Sequence, residues 1–180
     1  MWFRDRWDIK MVNKITIYFH DQKFRWYDPK RWTTAIIKWL SNDVFYHVSF
    51  RLKSEFYSES KYYEASFFGG VVSPKKLSSH SSLNYTIEIT NEQFIKLSDF
   101  YDYLLGKPYD YKALITGFFG RKNENSKAYF CSELLLKILH ELGVNTNQFK
   151  TNISPKDARM ILIGLAVNNE AIVRHAKQNR

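Results

Sequence analysis

The chain has one cysteine, Cys131, in the segment Phe130-Cys131-Ser132-Glu133-Leu134-Leu135, where a helix is expected to begin. Unpaired backbone N–H groups and the helix dipole stabilise a thiolate at such a position, so the thiol is a candidate nucleophile. At about 100° per residue, Leu134, Leu135, Ile138, Leu139 and Leu142 share its helix face, which must look into a core. A nucleophilic thiol needs a base, and the chain offers five histidines. His140 falls on the opposite side of the same helix. His20, His80 and His175 are expected at a strand end, in a polar loop and in a basic tail.

His47 lies inside an alternating segment. Over residues 44–52 one face carries Val44, Tyr46, Val48, Phe50 and Leu52, and the other Phe45, His47, Ser49 and Arg51. In the next strand, over 62–68, Tyr62, Glu64 and Ser66 alternate with Tyr63, Ala65 and Phe67. A hairpin centred near Glu55-Phe56 puts His47 opposite Glu64, with Cβ atoms about 5 Å apart on one face. The carboxylate then holds one ring nitrogen and leaves the other for the thiol, which gives nucleophile, base and orienter. Each residue also has a blander reading. A lone cysteine followed by leucines is usually core, a strand histidine is usually satisfied in place, and Glu64 could neutralise Arg51. The joint placement favours chemistry. A zinc site is disfavoured, because Cys131, His47 and Glu64 include no sequence-close ligand pair.

The elements that must position these residues read as α+β. Alternation predicts strands over 14–19, 44–52, 62–68 and 85–89, with a short extended piece at Val71-Val72 after the turn Gly69-Gly70. Asp28-Pro29 breaks the first strand, and Thr33 or Thr34 caps a short helix through Leu40. Residues 75–82 read as a polar loop. Thr90-Asn91-Glu92-Gln93 is a capping box that opens a helix ended by Gly106. Residues 109–119 read as partly helical and 120–127 as a polar loop. The Cys131 helix stops at Gly143, and Ser154-Pro155-Lys156-Asp157 opens the last helix.

At 180 residues, with 44% hydrophobic and 17% aromatic content, the chain can bury one sizeable core. We therefore expect a single domain over 1–180: a basic aromatic part at 1–43, a core at 44–167 and a basic tail at 168–180. One cysteine excludes an intrachain disulfide and a multi-thiolate zinc site. Charged residues near the start argue against a secretory signal, and no apolar run reaches membrane-spanning length. Synthesis in the cytoplasm is the expectation, with a virion among the final destinations. The net charge of +9 suits an anionic surface, a membrane or, less readily, nucleic acid. Trp7, Trp26, Tyr27 and Trp32, interleaved with basic residues, carry that reading.

At these residues the chain resembles the circularly permuted branch of the NlpC/P60 superfamily. These papain-like thiol hydrolases include YiiX-like amidases, lecithin retinol acyltransferase-like enzymes and a poxvirus group. The histidine strand Tyr46-His47-Val48-Ser49 precedes the cysteine helix, as in that branch. Tyr63-Glu64-Ala65 with its glycine turn, Leu105-Gly106-Lys107-Pro108-Tyr109-Asp110 and Ile153-Ser154-Pro155-Lys156-Asp157 complete the similarity, over roughly residues 44–162. The resemblance implies a permuted papain-like domain, its antiparallel sheet packed against the nucleophile helix. It implies Cys131 as nucleophile, His47 as base, Glu64 as orienter and Tyr109 as a site-lining residue near the oxyanion. The basic N-terminal part and the 120–127 loop match nothing in that pattern.

The expected activity is that of a cysteine peptidase or amidase needing no cofactor, with a peptide or peptidoglycan substrate. The alternatives are an acyltransferase or thioesterase on acyl lipids, a non-catalytic papain-like module of viral type, and a nucleic-acid binder.

Overall fold

The computed structural model describes residues 13–21, 35, 38–39, 42, 44–54, 60–66, 69–75, 81–110, 131–149, 153–167 and 173–176. Its strands are β1 (Asn13–His20), β2 (His47–Lys53), β3 (Ser60–Ser66), β4 (Gly70–Val72), β5 (Ser81–Ile89) and β6 (Val173–Ala176). The helices that bear on the site are α1 (Asn91–Leu104), α2 (Cys131–Glu141) and α3 (Pro155–Val167). The architecture is α+β. The strands form one six-stranded sheet in the order β4-β3-β2-β1-β5-β6, every neighbouring pair antiparallel.

The first strand takes an inner place because its alternation is the cleanest. Ile15, Ile17 and Phe19 sit opposite Leu52, Phe50 and Val48 on one side and Ile87, Tyr85 and Leu83 on the other. All nine are buried. Burying such a side chain is worth about 1.5–3 kcal/mol. A one-residue slip would turn every β1 member of these rows to the other face, so burial itself fixes the register.

Several boundaries differ from the sequence expectation. The β2 strand begins at His47 rather than Val44, which is exposed. The last sheet-forming alternation starts earlier, at Ser81, because β5 runs along the whole of β1 and pairs Ser81 with His20. Residues 173–176, expected in a basic tail, pair with β5. With β1 on the N-terminal side, the sheet therefore extends beyond residues 44–167 in both directions. Of the short helix expected through Leu40, Ala35, Lys38 and Trp39 are helical. The rest of that helix, the basic aromatic stretches 1–12 and 22–34, the turn at 55–56 and the segment 111–130 lie outside the described residues.

The helix ends follow local chemistry. Thr90 and Gln93 exchange side-chain and backbone hydrogen bonds, closing the expected capping box of α1. On that helix Tyr101 stacks on Tyr63 of β3, with ring centroids 3.9 Å apart. The turn after α1 docks on β4: Gly106 N–H donates to the Val71 carbonyl at 2.9 Å, and Val71 N–H to the Lys107 carbonyl at 2.8 Å. Gly70 makes this approach feasible. Its φ is +69°, and a methyl group there would overlap the Lys107 carbonyl. Helix α2 ends at Gly143, where Gly143 N–H bonds the His140 carbonyl and Val144 N–H the Leu139 carbonyl, both at 2.9 Å. Helix α3 opens on a reciprocal Ser154–Asp157 box. No described helix is long and apolar enough to cross a membrane.

Candidate active site

The start of α2 is pinned from two directions. Leu134, Leu135, Ile138 and Leu139 are fully buried in the core cluster shared with the sheet. Ser132, also fully buried, donates its hydroxyl to the Ile153 carbonyl at 2.5 Å, tying the first turn to the segment that leads into α3. Cys131 is thereby held as the first helical residue, only 3% exposed. A thiol in the first turn of a helix is stabilised as the thiolate.

Two elements meet at that sulfur. The His47 side chain, at the first residue of β2, and the backbone N–H groups of Val48 and Ser132 lie near enough to the sulfur to favour its ionised form. On the other side, His47 Nε2 lies 3.4 Å from Glu64 Oε2. With Nε2 directed at Glu64, Nδ1 is the nitrogen left for the thiol. The structure thus brings Cys131, His47 and Glu64 together, three residues well separated along the chain.

Their electrostatics are mutually reinforcing. Burial works against a charged imidazole, but the hydrogen bonds and charges of Cys131 and Glu64 outweigh it and raise the His47 pKa to about 9. Burial likewise works against a thiolate. The hydrogen bond and charge of His47, with the Val48 and Ser132 N–H groups, nonetheless bring the Cys131 pKa below its ordinary value. Both shifts favour the thiolate–imidazolium pair over the neutral pair.

The register differs from the expected hairpin. Ser49, not His47, stands directly opposite Glu64 across β2 and β3. The pairing of β2 with β3 is shifted by two residues from the expected one. Because a shift of two preserves the face, His47 and Glu64 still share it and meet diagonally. Tyr109, the expected lining residue, is buried just after the Gly106 turn in the cluster that also holds Cys131. His140 is exposed on α2 and faces Thr146, away from the thiol.

Sequence reasoning passed over His20. It is fully buried at the end of β1 and pairs with His47 in register, the two rings 5.3 Å apart. Its Nε2 lies 2.6 Å from Ser49 Oγ. The parity of Tyr18 and His20 on β1 was a usable signal, but nothing local says that β1 and β2 are neighbours. Among the described residues, no group of three or more His, Cys, Asp or Glu side chains is placed to hold a metal ion. Compared with family models, with curated proteins and with solved structures, the chain matches none.

Proposed function

We propose that this chain is a cysteine hydrolase of the permuted papain-like kind, a peptidase or amidase that works through Cys131, His47 and Glu64. The observation that carries the reading is the 3.4 Å contact of the His47 ring with a buried carboxylate, beside a buried thiol at a helix start whose ionised form that ring favours. A merely structural cysteine in this core requires neither partner.

The reaction follows from the roles. His47 takes the thiol proton, and the thiolate attacks the carbonyl carbon of an amide. The negative charge that develops on the carbonyl oxygen is met by backbone N–H groups at the start of α2, Cys131 N–H among them. The imidazolium gives its proton to the departing amine as the C–N bond breaks, leaving a thioester on Cys131. Water, deprotonated by His47, attacks the thioester, and the C–S bond breaks to release a carboxylic acid and restore the thiol. Glu64 holds the ring in one orientation throughout. Tyr109 is assigned to the wall near the oxyanion, and a peptide or a peptidoglycan stem peptide is the substrate class this chemistry suits.

The test precedes any substrate. Cys131 in the wild-type protein and in His47→Ala is labelled with iodoacetamide at neutral pH and followed by mass spectrometry. Rapid labelling that collapses in His47→Ala supports the hydrolase. A slow, unactivated thiol in the wild type, unaffected by the substitution, rejects it and leaves a papain-like module without this chemistry.

A further inference from the structure

The polar face of the sheet carries more than three side chains at this end. His20, His47, Ser49 and Glu64 occupy one face across β1, β2 and β3: His20 pairs with His47, and Ser49 with Glu64. His20 and Ser49 are both fully buried. A histidine and a serine inside a protein cost free energy unless they are hydrogen-bonded, and these two bond each other at 2.6 Å. Two apolar residues would fill the same space at lower cost. What the polar pair supplies is orientation, because His20 lies beside the His47 ring and Ser49 stands opposite Glu64.

We propose that His20 and Ser49 are positioning residues of the site, His20 walling the His47 ring and Ser49 aligning the Glu64 carboxylate. The inference rests on the thiol-hydrolase reading. The His20 ring lies 5.3 Å from the His47 ring at a 36° tilt, so it limits rotation of the base on its outer side. Ser49 is held by its hydrogen bond with His20 Nε2 and stands directly opposite Glu64 on β3, on the same face of the sheet. The carboxylate, 5% exposed, thus has a fully buried side chain packed opposite it in addition to His47. The diagonal His47–Glu64 contact at 3.4 Å is long, and a buried neighbour fixed by its own hydrogen bond limits how far the carboxylate can turn away from the ring. His20 and Ser49 together are a support for the base and its carboxylate, with no step of the chemistry passing through His20.

The experiment compares iodoacetamide labelling rates of Cys131 at neutral pH in the wild type, His47→Ala, Ser49→Ala, Ser49→Thr, His20→Leu and His20→Gln, with melting temperatures for each. Ser49→Thr keeps the hydroxyl, and His20→Gln keeps a donor at similar reach. The expected result is a roughly tenfold slower rate in Ser49→Ala and His20→Leu, with the conservative variants within about twofold of wild type. Should Ser49→Thr prove too large for its buried place, seen as a lower melting temperature, the His20 pair decides. If His47→Ala abolishes activation while the Ser49 and His20 variants all label like wild type, the positioning role is overturned and the hydrolase stands. If conservative and non-conservative variants slow labelling equally and in step with lost stability, the pair is structural and the inference is again overturned. If His47→Ala changes nothing, the hydrolase reading and the inference fall together.

Discussion

His47 reaches Glu64 diagonally: Nε2 lies 3.4 Å from Oε2, while the residue directly opposed to Glu64 is Ser49. A diagonal contact of this length leaves the imidazole held but able to tighten when a substrate carbonyl draws charge onto the thiolate. The same contact is a main source of the raised His47 pKa, after the opposing effect of burial and the hydrogen bond to Cys131. The pair therefore has consequences that can be read by pH.

The first concerns the thiol. Because the Cys131 pKa is lowered, labelling of the wild-type protein should reach half its maximal rate below the ordinary thiol value of 9.0. In His47→Ala the opposing effect of burial is left with only the backbone donors against it, so the midpoint should rise. Labelling rate against pH, followed by mass spectrometry, measures both. Coincident midpoints would remove His47 as the base.

The second concerns stability. The His47 pKa is raised from 6.5 to about 9 in the folded chain, so its contribution is complete below pH 6.5 and is lost as pH rises through about 9. Cys131 runs the other way: its lowered pKa contributes above the ordinary thiol range, and that contribution is lost as pH falls through the lowered value. Replacing Glu64 by Gln removes one support of the imidazolium. The wild type should therefore be more stable than Glu64→Gln at pH 6, with the gap narrowing by pH 10. Thermal melts at the two pH values give the comparison, and a gap that widens with pH would reverse the assignment.

A third prediction lies in the frame. Alanine at Gly70 must adopt a φ of +69° and overlap the Lys107 carbonyl, which is itself bonded to Val71 N–H. Alanine at Gly143 meets only the positive φ, +89°, with nothing within 4 Å among the described residues. Gly143→Ala should cost about 1–2 kcal/mol, the penalty of a left-handed residue. Gly70→Ala should cost about 2–5 kcal/mol, because overlap with backbone adds to that penalty. Urea unfolding of the two variants tests the order, and equal costs would mean that the β4 docking is softer than drawn.

These features were unequally legible in the sequence. The strands and capped helices could be read because burial and capping are local: Ile15, Ile17 and Phe19 alternate, and Thr90 stands three residues before Gln93. Cys131, His47 and Glu64 were legible as candidates for the same reason, since face and helix start depend only on period. The pairing of His47 with Ser66 or with Glu64 was not, because register depends on where the turn falls, and residues 55–56 give no Asn-Gly or Asp-Gly signal to place it. His20 was missed because its role depends on β1 lying beside β2, and long connections leave strand order unspecified by either strand alone. The strand at 173–176 was missed for a related reason: its partner β5, not its own polar composition, makes it a strand.

The last prediction separates a ring from its hydroxyl. Tyr63 and Tyr101 stack with centroids 3.9 Å apart and planes 6° from parallel, and neither buried hydroxyl has a hydrogen-bond partner among the described residues. Burial pushes both phenols up, helped at Tyr63 by Asp102 and at Tyr101 by Tyr63, so both stay protonated through the working range. An unpaired buried hydroxyl costs about 1–3 kcal/mol, whereas a buried aromatic ring cut back to alanine costs about 3–5 kcal/mol. Tyr101→Phe should therefore keep or raise stability, by up to about 1 kcal/mol after repacking, while Tyr101→Ala should lose several. Urea midpoints at an unchanged slope make the measurement. A Tyr101→Phe variant as unstable as Tyr101→Ala would show that the hydroxyl, and not the stacked ring, fastens α1 to β3.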